Sequence, residues 1–132
     1  MNLDESLVAR LKAHVGLTAL VGARVYPQML PQSPTLPAVT YERVIAPTEH
    51  IMAESRSSIE APNYRLQCWG STITSAVAVA EQVDQALDAF SGMLGGVGGV
   101  NCWITKVNSL DLGDDQPGRQ RRINDYEIWF AR

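Results

Sequence analysis

Histidine and cysteine each occur only twice in the chain, and that scarcity removes several chemistries at once. His14 and His50 lie far apart with no spacing that suggests paired metal ligands, so no metal site is predicted. Any serine–histidine–acid triad would have to borrow one of these two histidines without further support, and no catalytic residue is singled out. Cys68 and Cys102 fall in separate predicted strands and project with core residues, which reads as two small buried apolar groups and no disulfide framework. Long apolar runs are also missing. Long uncharged stretches such as 71–80 and 89–105 contain turn formers and fall short of a membrane span. The first residues, Met1-Asn2-Leu3-Asp4-Glu5, have neither the basic start nor the apolar run of a secretory signal, so a reducing cytoplasm is the expected compartment. Excess charge of one sign is lacking too. Net charge is −3, so no global field draws the chain onto nucleic acid or an anionic membrane.

What is present is an ordinary globular composition, 45% hydrophobic and 19% charged, in 132 residues, the length of one domain. The organising stretch is 62–90. Tyr64, Leu66 and Cys68 alternate with Arg65 and Gln67 as on a pleated strand, and Gly70 breaks it. Ser71 or Thr72 can cap a following helix of about nineteen residues, a rod of roughly 28 Å. Ala76, Val79, Ala80, Val83, Ala86, Leu87 and Phe90 form its apolar stripe, and Glu81, Gln82, Asp84, Gln85 and Asp88 are expected to face water.

Before this unit, Asn2 and Glu5 form a capping-box-like start to a helix of about three turns striped by Leu3, Leu7, Leu11 and Val15, which Gly16 is expected to end. Residues 18–21 can add a short turn. Residues 24–27 read as a short extended piece, and four prolines (Pro27, Pro31, Pro34, Pro37) then predict an extended loop lying along the domain. A strand is predicted at 38–45. Residues 46–61, without a sustained period, read as a long loop or hairpin extension. After the central helix, Gly92 suits a helix C-cap and the glycines to Gly99 a supple connector. That run follows a helix and precedes a strand, the reverse of a phosphate-binding loop, so no cofactor is implied. Strands follow at 100–110 and 119–131, joined by a turn at 111–118.

The predicted class is therefore α+β: an antiparallel sheet of about four strands backed by one long helix, in the order α-β-β-α-β-β, with residues 1–132 forming one domain. Trp69, Trp103 and Trp129 are expected on the sheet face opposite the core, where either the first helix or a partner must cover them. Arg119, Arg121 and Arg122 form a basic cluster facing Asp111, Asp114 and Asp115 across the turn. It reads as a solvated hairpin end, a polar contact between identical subunits, or a small nucleic-acid patch.

Several stretches in the same order resemble one family. Leu20-Val21-Gly22-Ala23-Arg24-Val25-Tyr26-Pro27 and Leu36-Pro37-Ala38-Val39-Thr40-Tyr41-Glu42-Arg43 come first. Arg65-Leu66-Gln67-Cys68-Trp69-Gly70 with its helix Ala76-Val77-Ala78-Val79-Ala80-Glu81-Gln82-Val83 follows, and Arg122-Ile123-Asn124-Asp125-Tyr126-Glu127-Ile128-Trp129-Phe130 ends the series. Together they resemble the tail-completion, or tail-terminator-like, proteins of long-tailed bacteriophages and prophages. The resemblance implies a structural virion protein with no catalysis and no cofactor. Such a protein forms a ring, commonly a hexamer, at the head-proximal end of the tail, ends the tail tube and joins it to the head connector. The partners implied are further copies of the chain, the tube protein and the neck proteins, with DNA only as passing cargo and no membrane. Gly22, Tyr26, Pro27, Pro37, Tyr41 and Trp69 would then define the fold. His50, Ile51, Met52, Glu54 and Arg56 in the long loop, together with the Asp111–Arg122 hairpin residues above, are the candidate interface. Competing readings are another neck or head-closure adaptor, a small-ligand-binding α+β domain, and a nucleic-acid module built on the arginines.

Overall fold

The structure is a computed structural model that describes residues 2–32, 35–45, 59–60, 62–96, 98–113 and 119–131. Among these residues, three helices lie on one face of a seven-stranded sheet. Helix α1 (Leu3–Ala13) begins with the expected capping box: the Glu5 amide donates to Asn2 Oδ1 at 2.8 Å, and the Asn2 amide donates to the Glu5 carboxylate. It stops at His14, whose backbone is extended, and a separate helix α2 (Val15–Val21) follows. Gly16 therefore does not end the first helix. Gly16 instead sits against the side-chain amide of Gln82 on α3 (Ile73–Leu87), where an added Cβ would stand 2.0 Å from Gln82 Oε1 and that flexible side chain would have to move. Gly22 closes α2 with φ +60°, a conformation that a side chain disfavours.

Strand β1 (Val25–Pro27) pairs in parallel with β2 (Ala38–Ile45), an arrangement the antiparallel expectation lacks. The proline-bearing segment between them supplies the length that a parallel return requires. Arg24 ties the far end of that segment to α2, its guanidinium donating to Pro37 O at 2.9 Å and to Leu20 O at 3.3 Å. Strand β4 (Asn63–Gly70) pairs antiparallel with β2 and with β7 (Gln120–Ala131), and the short β3 (Ile59–Glu60) also pairs with β7. Strands β6 (Val100–Gly113) and β5 (Ser91–Leu94) complete the order β1-β2-β4-β7-β6-β5. Element order is thus α-α-β-β-β-β-α-β-β-β, richer than the six elements the sequence predicts.

The extra elements have identifiable causes. Thr72 caps α3 by accepting from the Ser75 amide, and Ala89 at φ +59° turns the chain out of the helix. Helix α3 is therefore 15 residues long, and Phe90 lies beyond it. Gly92 sits inside β5, where Leu94 is buried, so the glycine stretch opens as an edge strand and turns back only at Gly95 and Gly96. The β6–β7 ladder continues to Gly113–Gln120, placing Asp111 in a strand where the sequence predicts a turn.

Alternation fixes the core. Tyr64, Leu66 and Cys68 on β4, Cys102 and Ile104 on β6, and Tyr126 and Ile128 on β7 face the helices. They pack against Leu7 and Leu11 of α1, Leu17 and Val21 of α2, and Val79, Val83 and Leu87 of α3, all fully buried. Burial pushes the Cys68 thiol up to about 12 and the Cys102 thiol up to about 11, and both cysteines are free.

Two residues expected to face water turn inward. Gln82 Oε1 lies 3.1 Å from His14 Nε2, which ties α3 to the α1–α2 corner. Asp84 accepts from the Tyr126 hydroxyl and from Lys106 Nζ, the latter at 2.8 Å, while Asn124 donates to the Tyr126 hydroxyl at 3.3 Å. These partners arise because alternation from Cys102 and Ile104 keeps Lys106 on the helix side opposite Tyr126, ahead of the β6 bulge between Lys106 and Asn108.

Candidate functional site

With three helices on one face, the other face of the sheet has no layer over it among the described residues. Its residues follow from pleat parity: Thr40 and Glu42 on β2; Arg65, Gln67 and Trp69 on β4; Arg121, Ile123, Asp125, Glu127 and Trp129 on β7; and Trp103 on β6. The three tryptophans do lie on this face. The first helix does not cover them, because Leu3, Leu7 and Leu11 commit it to the opposite side.

The two ends of the face differ. At one end Trp103 and Trp129 sit directly opposite across β6 and β7, their rings stacked with centroids 6.1 Å apart and planes within 2°. Trp103 is 46% exposed and Met93 of β5 is 48% exposed, which makes an apolar patch beside the short edge strand. At the other end Trp69 is only 8% exposed. Its indole donates to Thr40 Oγ1 at 3.1 Å, and the guanidinium carbons of Arg121 and Arg119 stand 5.1 and 5.5 Å from its ring centroid. Gln28, Met29 and Leu30, entering the proline-bearing segment, complete a pocket of about 260 Å³ with Gln67, Trp69, Arg119 and Arg121. Gln28 reaches it by adopting φ +66°, its amide donating to Tyr41 O at 2.8 Å. Between the two ends Arg65 and Asp125 form a bidentate pair at 3.0 and 3.3 Å.

The predicted basic cluster is divided by the pleat. Arg121 faces the uncovered side, where its Nη1 donates to Gln67 Oε1 at 2.5 Å. Arg122 faces the helix side and is engaged within its own chain by Asp111, at 2.6 and 3.0 Å. That guanidinium also holds the Asp111 carboxyl below its ordinary range. The cluster's three arginines therefore do not form one surface, and strand alternation alone forbids it. Asp114 and Asp115, and the loop residues His50, Ile51, Met52, Glu54 and Arg56, lie outside the described residues. Tyr26 and Pro27 are in β1, opposite Thr40 and Tyr41 of β2, and Pro37 immediately precedes β2.

Sequence reasoning missed the pocket, although one signal pointed to it. Arg121 has the parity of Trp129, and Trp69 pairs with Arg121 in register. What no pattern announced was the approach of Gln28–Leu30 from a distant part of the sheet. Among the described residues no group of three His, Cys, Asp or Glu side chains could hold a metal ion, and no helix is long and apolar enough to cross a membrane.

The described residues thus form a helix-backed mixed sheet with no layer over its second face and a short strand, β1 or β5, at each edge. Comparison with known proteins gives that class a family. The model of the family described as tail completion protein gp17 matches residues 5–131, and the chain belongs to this family of phage-tail virion structural proteins. No curated protein matches the chain. Among solved structures, a chain from the virion of a native gene transfer agent particle has the same fold, with a TM-score of 0.77. It is 16% identical, and the match covers 98% of this chain and 95% of that one.

Proposed function

We propose that the chain acts as a ring-forming tail terminator. Copies close into a ring, commonly a hexamer in proteins of this kind, on the head-proximal end of the tail tube, end its growth and join it to the head connector without catalysing a reaction. Family membership over residues 5–131 carries this reading. The likeness to a virion chain over nearly all of both chains supports it. A closed ring of identical subunits needs two different surface patches on each copy, and this domain offers unlike edges and an uncovered face with unlike ends. Net charge of −3 also suits a ring through which DNA passes without adhering. Assembly takes place in the host cytoplasm, on the tail and neck proteins.

The test is sedimentation velocity and negative-stain imaging of the full chain, alone and added to polymerising tube protein from the same genome. The expected result is closed annuli at one end of each tube and arrested lengthening. Tubes that lengthen unchanged, with the chain at neither end, would overturn the proposal.

A further inference from the structure

The pocket over Trp69 contains chemistry that ring closure alone does not call for. Arg121 is held on two sides, by the indole face at 5.1 Å and by Gln67 Oε1 at 2.5 Å. Gln67 is itself oriented, its Nε2 donating to Glu42 Oε1 at 3.4 Å. A guanidinium has five N–H donors in a rigid fork. Gln67 takes one of them, and the Arg121 Nε is buried with no hydrogen-bond partner among the described residues. Leaving such a donor unsatisfied is costly unless something occupies the site. Arg119 adds a second positive charge above the same ring, and Met29 and Leu30 give the pocket an apolar rim.

We propose that this pocket binds one carboxylate, an aspartate or glutamate side chain presented by an extended segment of a partner protein. Arg121 is its principal donor, Trp69 the wall of the site, and Met29 with Leu30 the contact for the methylenes. The volume of about 260 Å³ suits one side chain. Planar, bidentate recognition of a carboxylate is what an immobilised guanidinium does best. A nucleic-acid strand fits poorly, because Arg65 on the same face is already engaged by Asp125, and Glu42 and Glu127 there would repel a run of phosphates. Every group involved belongs to one chain, so the proposal stands or falls independently of the ring.

The experiment follows the three indole N–H resonances of the ¹⁵N-labelled full chain during titration. The probes are the capped tripeptide acetyl-Ala-Glu-Ala-amide, its glutamine counterpart, and inorganic phosphate. The glutamate peptide is expected to shift the Trp69 signal saturably while those of Trp103 and Trp129 stay in place, and the glutamine peptide is expected to do nothing. Arg121→Gln should weaken the glutamate peptide about tenfold, with unmoved Trp103 and Trp129 signals showing that the fold persists. Met29→Glu provides a second route if Arg121→Gln does not fold. Met29 is 75% exposed, so its replacement spares the core while placing a competing carboxylate at the rim. Equal response to both peptides, tighter binding of phosphate than of the glutamate peptide, or full affinity in either variant would overturn the proposal.

Discussion

Trp103 and Ile104 are neighbours in β6, yet they belong to different worlds: Ile104 is 2% exposed beneath the helices and Trp103 is 46% exposed on the bare side. The two faces differ most at this end of the sheet; at the other end Thr40, Gln67 and Trp69 are buried as well. The helix side is an apolar core in which Asp84, Lys106, Asn124 and Tyr126 form one connected polar group. On the other side, polar groups are paired in the middle and unequal at the ends, with stacked indoles at one and a guanidinium–indole pocket at the other. The helix side therefore holds most of the buried apolar side chains, while the other face has no layer over it among the described residues and leaves Trp103 partly exposed.

The sharpest way to break this comparison is to truncate on the helix side. Ile104→Ala removes packing that has nowhere to collapse, and a loss of about 3 kcal/mol is expected. Urea unfolding measures it directly. A loss under about 1 kcal/mol would mean that the helices do not form a tight cover over β6.

A smaller effect is expected from alkali. Folding raises Cys68 from 9.0 to about 12 because burial penalises the thiolate, and raises Tyr64 from 10.0 to about 12 through burial and its hydrogen bond to Asp4. Both are acids kept neutral by the fold. Their contribution is complete below the unfolded values and is lost as pH rises from about 9 toward 12. The urea midpoint should therefore hold steady up to about pH 9 and fall above it, less steeply in Cys68→Ala. Native thiols should also resist iodoacetamide at pH 8 and react once the chain is unfolded. Rapid labelling of the folded chain would show that the helix side is open to solvent.

The helix side was also the legible side. Period-two alternation at Tyr64, Leu66 and Cys68 and the α3 stripe from Ala76 to Leu87 announce burial because both faces obey one repeat. The Asn2–Glu5 capping box is equally local and equally readable. Sequence reading failed where a distant partner overrode a local signal. Gly16 looked like a stop and is a contact with α3, while Asp84 looked solvated and is held by Tyr126 and Lys106. Gly92 looked like a cap and is strand, because β6 offers it a ladder. The candidate site was less visible still. The tryptophans could be assigned to the bare face by parity, but dividing Arg121 from Arg122 required the register of β7 against β4 and β6, and the Gln28–Leu30 rim comes from a segment that no local period links to Trp69.

The smallest expected change in stability comes from Trp103→Ala, and its small size is what makes it informative. Parallel, offset indoles contribute about 0.5–1.5 kcal/mol beyond area burial, and Trp103 already leaves much of its surface in water. A loss of about 1 kcal/mol is therefore expected, well short of the Ile104→Ala value one residue along the same strand. Trp129 emission should shift to the red as its stacking partner disappears and water reaches the ring. If the bare face contributes to assembly, the same variant should lose ring formation on tubes under native conditions while its urea midpoint falls only by the amount that about 1 kcal/mol implies, a separation that a purely structural indole pair would not give. Destabilisation equal to that of Ile104→Ala would instead mean that the tryptophan pair is part of the core, and the contrast between the two faces would no longer hold.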